Sequence, residues 1–183
     1  MLDFLSLKQK YFQRRFTLTI QLPHQDHGTA IAAEYNIARS PKWSQVQKQH
    51  LKLQPLCVAC KLGTNSQTKP QVHHIFPFHY CIVLGRPDLE LDQRNLITLC
   101  ENEAGHPADN HHLLIGHLDD FKSSNLDVVV DAKTTFQGMS ASDIKNDLRW
   151  KQKKTTSLKP LDKMTPQDKV DFLAKMNTWF PKK

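Results

Sequence analysis

Cys57 and Cys60 stand in "LCVAC" with two residues between them, and a third cysteine, Cys100, ends the apolar run "LITLC". Two thiolates so spaced can grip one ion from a single tight turn, and zinc takes four N or S ligands in a tetrahedron. This arrangement constrains the fold more than any other feature, because "LITLC" must return to lie beside the "CVAC" turn. The fourth ligand should follow shortly after Cys100. His111 and His106 are the candidates, and either completes a Cys3His site. Cys81, inside "HYCIVLG", is expected to be a buried small hydrophobe. In a reducing compartment, cysteines serve as metal ligands or buried thiols more readily than as disulfides. A rival spacing, Cys57-x2-Cys60-x12-His73-x5-His79, matches a C2H2 finger. That fold needs its histidines on a helix, whereas Pro70 stands just before them and Val72, His73, Ile75 and Phe76 favour a strand. His79 is therefore expected in a loop or at the surface.

At 183 residues the chain fits one domain with appendages, or one domain and a small partner. Its 39% hydrophobic and 23% charged content is ordinary for a globular protein. No stretch approaches the roughly 20 apolar residues of a membrane span. The start, "MLDFLSLKQKYFQRRF", carries an acid and bases where a signal peptide has an apolar run, so a cytoplasmic location is expected. The net charge of +7 is unevenly placed. From Lys145 to Lys183 there are eleven Lys/Arg against four Asp, and the preceding residues balance. A basic C-terminal segment suits a polyanionic partner.

Along the chain, "RRFTLTIQL" has strand composition and "HGTAIAAEYNIA" could be a short helix. "SPKWSQVQKQHLKLQP" reads as a helix with Ser40 as N-cap and Pro41 at the first position; its polar face carries Lys42, Lys48, His50 and Lys52. "QVHHI" and "LITLC" read as short strands and "LGRPDLELDQRN" as loop. "NHHLLIGHLDDFKSS" reads as a helix begun by Asp109 or Asn110, and "LDVVVDAKT" as a strand. "SASDIKNDLRW" and "TPQDKVDFLAKMNTWF" are helix candidates, the latter capped by Thr165, with "KQKKTTSLKP" as a flexible basic linker between them.

His73, His74, Asn95 and His112 form a second constellation. Phosphodiester hydrolysis needs a base to deprotonate water and a cation to stabilise developing charge. Neighbouring strand side chains point to opposite faces, so the two adjacent histidines could divide those jobs. A metal also needs a ligand from another element, and "NHHLLIGH" offers His112. A neutral imidazole, with a pKa near 6.5, can do either job. Alternatively, these histidines are additional zinc ligands or surface residues.

The stretches "CVAC", "VHHI", "LDQRNLITLC" and "NHHLLIGHLDDFKS", in this order over about residues 40 to 126, resemble an HNH endonuclease. That is the ββα-metal group with a CxxC zinc knuckle. The resemblance implies a small α+β fold: a ββα-metal (His-Me finger) core, flanking helices and a basic helical C-terminal tail. It implies an N-terminal extension (1–39), a nuclease domain (40–139) and the tail (140–183). It makes His73 a metal ligand, His74 the general base, Asn95 the residue that orders the inter-strand loop or in some members contacts the metal, and His112 a metal ligand. His117 lies near the site, but its offset is unlike the i, i+4 pair that binds one ion from a regular helix. Where the family has a fourth cysteine, this chain has His111. The implied cofactors are a structural Zn2+ and a catalytic divalent cation (Mg2+, Mn2+, Ni2+ or Zn2+). The implied partner is DNA, gripped through its backbone phosphates. Two other readings are a zinc-stabilised nucleic-acid-binding module without catalysis, and a metallohydrolase acting on something else.

Overall fold

The computed structural model describes residues 27–64, 68–102, 110–156 and 158–182. The strand expected over "RRFTLTIQL" lies outside them. What is described is a mixed α+β fold built on a small antiparallel sheet of two strands. Strand β1 (Thr68–His74) pairs with β2 (Leu96–Asn102) in a register that sets His73 opposite Ile97, His74 opposite Leu96 and Pro70 opposite Cys100. In a two-stranded sheet each strand is an edge, which is where proline is tolerated.

Helix α1 (His27–Glu34) occupies the expected segment. Helix α2 (Trp43–Leu53) starts two residues later than Pro41 suggested. Ser40 and Pro41 form a turn instead, in which the Ser40 hydroxyl accepts from Lys42 N at 3.3 Å. On α2, His50 is buried rather than solvated: its Nδ1 bonds Gln93 Oε1 at 2.7 Å. Between the strands run helix α3 (Phe78–Val83) and two 3-10 turns, Pro87–Glu90 and Gln93–Asn95.

Two expectations fail after β2. The helix foreseen over "NHHLLIGHLDDFKSS" is only a π-helical turn, His112–Gly116, begun by Asn110, whose Oδ1 accepts from Leu113 N at 2.9 Å. It cannot continue, because Leu118 (φ 53°) and Asp119 (φ 69°) adopt left-handed backbone. Asn125 N then returns to Gly116 O at 3.0 Å. The strand foreseen over "LDVVVDAKT" is helical: α4 (Val128–Val130) runs into a second π turn, Asp131–Thr135. Asn125 Oδ1 accepts from Asp127 N at 3.0 Å, and its Nδ2 donates to Asp131 Oδ2 at 2.8 Å, which folds the segment on itself. Val128 and Ala132, one helical turn apart, are buried while Val130 is exposed. Core packing at helical spacing here overrides the β-propensity of three consecutive valines.

The C-terminal segment forms α5 (Ala141–Asn146), α6 (Leu148–Thr155) and α7 (Pro166–Trp179). Thr165 caps α7 as expected, in a reciprocal box with Asp168, and Ser140 with Asp143 does the same for α5. "SASDIKNDLRW" is two helices rather than one, because the Asp147 carboxylate caps α6 by accepting from Arg149 N at 2.8 Å. The first residues of the expected linker, Lys151 to Thr155, belong to α6.

These helices join the core. Phe172, Met176 and Phe180 sit in one cluster with Phe76, Tyr80 and Leu99. Phe76 meets the rings of Phe172 and Phe180 edge-on at 5.4 and 5.6 Å. Trp150 Nε1 donates to Leu114 O at 2.8 Å, and the Tyr80 hydroxyl donates to Lys159 O at 2.7 Å. Several basic residues of this segment face acids of the preceding chain: Lys145 and Lys154 meet Asp119, and Lys153 meets Asp127 and Asp131. No helix among the described residues is long and apolar enough to cross a membrane.

Because α7 packs on the sheet-side core, Phe172→Ala should destabilise the whole protein by ~3–5 kcal/mol. Urea unfolding followed by tryptophan fluorescence and far-UV circular dichroism should show one shifted transition in both signals. Loss of helix signal in a separate early step would show that α7 folds independently.

Candidate metal centres

Cys57, Cys60, Cys100 and His111 come together with all ligand atoms within 4.8 Å of one another. The Cys57–Cys60 turn is tied to the sheet, since Val58 N donates to Thr98 O at 2.9 Å. Cys60 Sγ lies 3.8 Å from Cys100 Sγ, and Cys57 Sγ lies 3.7 Å from His111 Nδ1. With zinc–sulfur bonds of about 2.3 Å, the sulfurs of a tetrahedral site stand roughly 3.8 Å apart. Cys100 Sγ to His111 Nδ1 is tighter, at 3.1 Å. His111 Nε2 donates to Met139 O at 3.2 Å, which orients the ring and turns Nδ1 to the sulfurs.

Hydrogen bonds from Cys100 and Cys60 hold the Cys57 thiol well below its ordinary value, with burial opposing them and His111 assisting. Burial pushes the His111 imidazole down, but its bonds to the Cys57 and Cys60 sulfurs outweigh that and lift it to about 10. The hydrogen bonds with Cys57 and Cys60 push the Cys100 thiol well above its ordinary value, so they favour the thiolate on Cys57 over that on Cys100. Three sulfurs and one imidazole nitrogen gathered at one point are compatible with a structural zinc. His106 lies outside the described residues. Cys81 is buried as expected; burial pushes its thiol up to about 12, and it donates to Phe76 O at 3.4 Å.

A second group, His73, His112 and His117, also has its ligand atoms within 4.8 Å of one another. The rings meet edge-on, with centroids 5.3 Å (His73–His112), 4.8 Å (His73–His117) and 4.9 Å (His112–His117) apart. The offset of five that argued against His117 on a regular helix suits a π turn, whose i→i+5 bonding brings such positions onto one side. His117 Nδ1 donates to Ser123 O at 2.9 Å, leaving Nε2 as its lone-pair nitrogen. His112 Nδ1 lies 3.6 Å from Glu101 Oε2. His73 Nε2 is buried without a hydrogen-bond partner. Burial, then the neighbouring His117, His112 and His74, hold His73 well below its ordinary value and therefore neutral. Such an orphaned imidazole nitrogen fits a metal ligand, because an unpaired buried polar atom otherwise costs about 1–3 kcal/mol.

Gly116 makes this approach possible: a Cβ on it would stand 2.9 Å from His73 Nδ1. The glycine of "HHLLIGH" is the sequence signal for this close approach.

His74 points the other way, onto α2, with its ring 4.6 Å from that of Trp43. Its Nε2 lies 3.0 Å from Glu90 O. A carbonyl only accepts, so Nε2 carries the hydrogen and Nδ1 keeps the lone pair. Burial, and next the positive charge of Arg39, push His74 down to about 3, against the opposing effect of the Glu90 bond. Asn95 reaches neither group of histidines. Its Oδ1 accepts from Phe76 N at 2.8 Å, and its Nδ2 donates to Phe76 O and Leu89 O at 3.0 Å, tying the end of β1 to the following loop. His79 is buried in α3, not exposed; its ring stacks on Tyr35 at 5.2 Å, and burial with Arg39 lowers it to about 4.

No protein-family model, curated protein or solved structure matches this chain.

The Cys3His arrangement predicts one tightly held zinc per chain. His111→Ala should lose it and lower the urea midpoint, and chelation should lower the midpoint of the parent but not of the variant. Atomic absorption with urea titration checks both; a metal-free parent of equal stability would remove the structural-zinc assignment.

Proposed function

We propose that the chain is a metal-dependent endonuclease of the HNH type, hydrolysing phosphodiester bonds in DNA. The observation that carries this reading is the division of His73 and His74 between the two sides of β1. One enters a cluster of three imidazoles, and the other is held by a carbonyl in a fixed tautomer. The antiparallel pair and the π turn after it take the place of a ββα-metal core.

His73, His112 and His117 would hold a divalent cation, which when bound would supply a Lewis acid for the negative charge that develops during phosphodiester hydrolysis. Three imidazoles suit zinc or nickel better than magnesium, which prefers oxygen donors. His74 Nδ1 takes the proton of the attacking water, while Nε2–H stays bonded to Glu90 O. An anionic phosphodiester beside His74 favours its protonated form and so raises its basicity. Asn95 acts as a positioning residue by ordering the loop that carries Glu90. The exposed Lys42, Lys48 and Lys52, around α2, meet backbone phosphates without reading bases. Tail lysines that face Asp119, Asp127 and Asp131 are less suited to that task than the helix is.

His74→Ala should lower plasmid nicking in the presence of Ni2+, Zn2+, Mn2+ or Mg2+ by at least about 10²-fold, the low end for losing a general base. Fold and zinc content should stay intact. Salt-sensitive DNA binding by a parent that never nicks would instead favour a non-catalytic module. Gly116→Ala, read by calorimetry with Ni2+ on zinc-loaded protein, should weaken binding of a second ion by about 10–100-fold. Equal affinity in that variant would remove His73 from the ligand set.

A further inference from the structure

We propose that Glu101 is a positioning residue of the three-histidine group, accepting from His112 Nδ1 when that group holds its ion; the inference rests on the metal-site part of the nuclease reading. Glu101 follows Cys100 on β2, and His112 follows His111 at the start of the π turn. The two segments meet at two successive pairs. Cys100 Sγ lies 3.1 Å from His111 Nδ1, and Glu101 Oε2 lies 3.6 Å from His112 Nδ1. The first pair belongs to the cysteine cluster, and the second reaches from the sheet to the histidine group. One register therefore serves both centres.

Glu101 is not among the residues whose ligand atoms gather within 4.8 Å of one another, so it stands behind His112 rather than in the group. His112 Nδ1 is buried without a hydrogen-bond partner, since 3.6 Å is longer than a hydrogen bond. As a bond within the fold the contact is thus incomplete, and it leaves a buried nitrogen orphaned. As a holder for a metal ligand it has the residue types and the order of a carboxylate–histidine–metal arrangement. An ionised carboxylate only accepts, so Glu101 favours the tautomer with hydrogen on Nδ1 and the lone pair on Nε2. His117 is set the same way, through Nδ1 and Ser123 O. Once Nε2 shares its lone pair with a cation, Nδ1–H becomes a stronger donor, and the gap closes to a charge-assisted hydrogen bond. A carboxylate has about four acceptor positions, so Glu101 serves His112 along with any other donor it meets. It also sets a negative charge close to three ligands that bring none.

The test is calorimetry with Ni2+ on the full zinc-loaded chain and on the variants Glu101→Ala and Glu101→Gln. Glu101→Ala should weaken binding of the second ion by about 10–100-fold, the usual cost of losing such a partner. Glu101→Gln should lose less, because its amide oxygen still accepts from Nδ1. Its urea midpoint before the second ion is added should equal the parent's. In 15N spectra with a second equivalent of Zn2+, the parent should show His112 protonated at Nδ1, and Glu101→Ala should lose that signature. Equal affinity in parent and variants overturns the inference while the histidine group keeps its ion. Affinity that falls only in step with the urea midpoint makes Glu101 a fold residue and overturns it too. Equal losses in both variants, with the His112 signature unchanged, make Glu101 a ligand instead of a positioning residue. A parent that takes up no second ion removes the histidine site and this inference together. A parent that binds the ion but never nicks DNA removes the nuclease reading alone, and Glu101 is still judged by affinity and tautomer.

Discussion

Three sulfurs and one imidazole, from three remote segments, are drawn to a single point in this molecule. A two-stranded sheet is marginal by itself in water. Here the cysteine cluster joins the turn before β1, the far half of β2 and the start of the π turn, three segments remote in sequence. His111 belongs to this cluster and the next residue, His112, belongs to the other. Whatever fixes the first group therefore fixes the second within one peptide unit, and the left-handed pair Leu118–Asp119 stops the chain from carrying His117 onward along a regular helix.

The inter-strand connection is the other organising element. Two of its buried polar residues act in different directions. Asn95 bonds the backbone at Phe76 and Leu89, which shapes the loop. Glu90 then uses that shape to present a carboxylate to Arg39 and Ser40 and a carbonyl to His74. The apolar floor beneath is completed by α7 through Phe172 and Phe180, so a segment that looks like a basic appendage in composition supplies part of the core.

How much of this is legible in the sequence depends on the residue. The cysteines, His111 and the two strands are readable because metal-ligand chemistry and strand composition are local signals. His117 is legible as a histidine near the site, but its spacing argues against a shared ion, since a π turn has no local signature and arises from how Asn110 and Asn125 bracket the segment. "VVV" misleads for the opposite reason: its intrinsic preference is strong, and only the burial of Val128 and Ala132 on one side overrules it. His50 and His79 look polar and are buried, because the former meets Gln93 and the latter an aromatic wall formed by Tyr35 and Tyr80. The charge count likewise says where the lysines are, but not that several of them face Asp119, Asp127 and Asp131.

The chain twice places histidines side by side, at 73–74 and at 111–112, and in each pair the two do different work. A slip of one residue would put an imidazole back into one place of each pair, so ligand chemistry at that place alone cannot choose between the two threadings. The choice is made by what surrounds each ring. Gly116 gives His73 room, Trp43 offers His74 a ring to lie against, with Phe78 further off, and the Asn95 bonds to Phe76 peg the strand end so that the alternation cannot invert. Identity at these positions is thus written in their neighbours, a glycine, an indole and an amide, rather than in the histidines themselves.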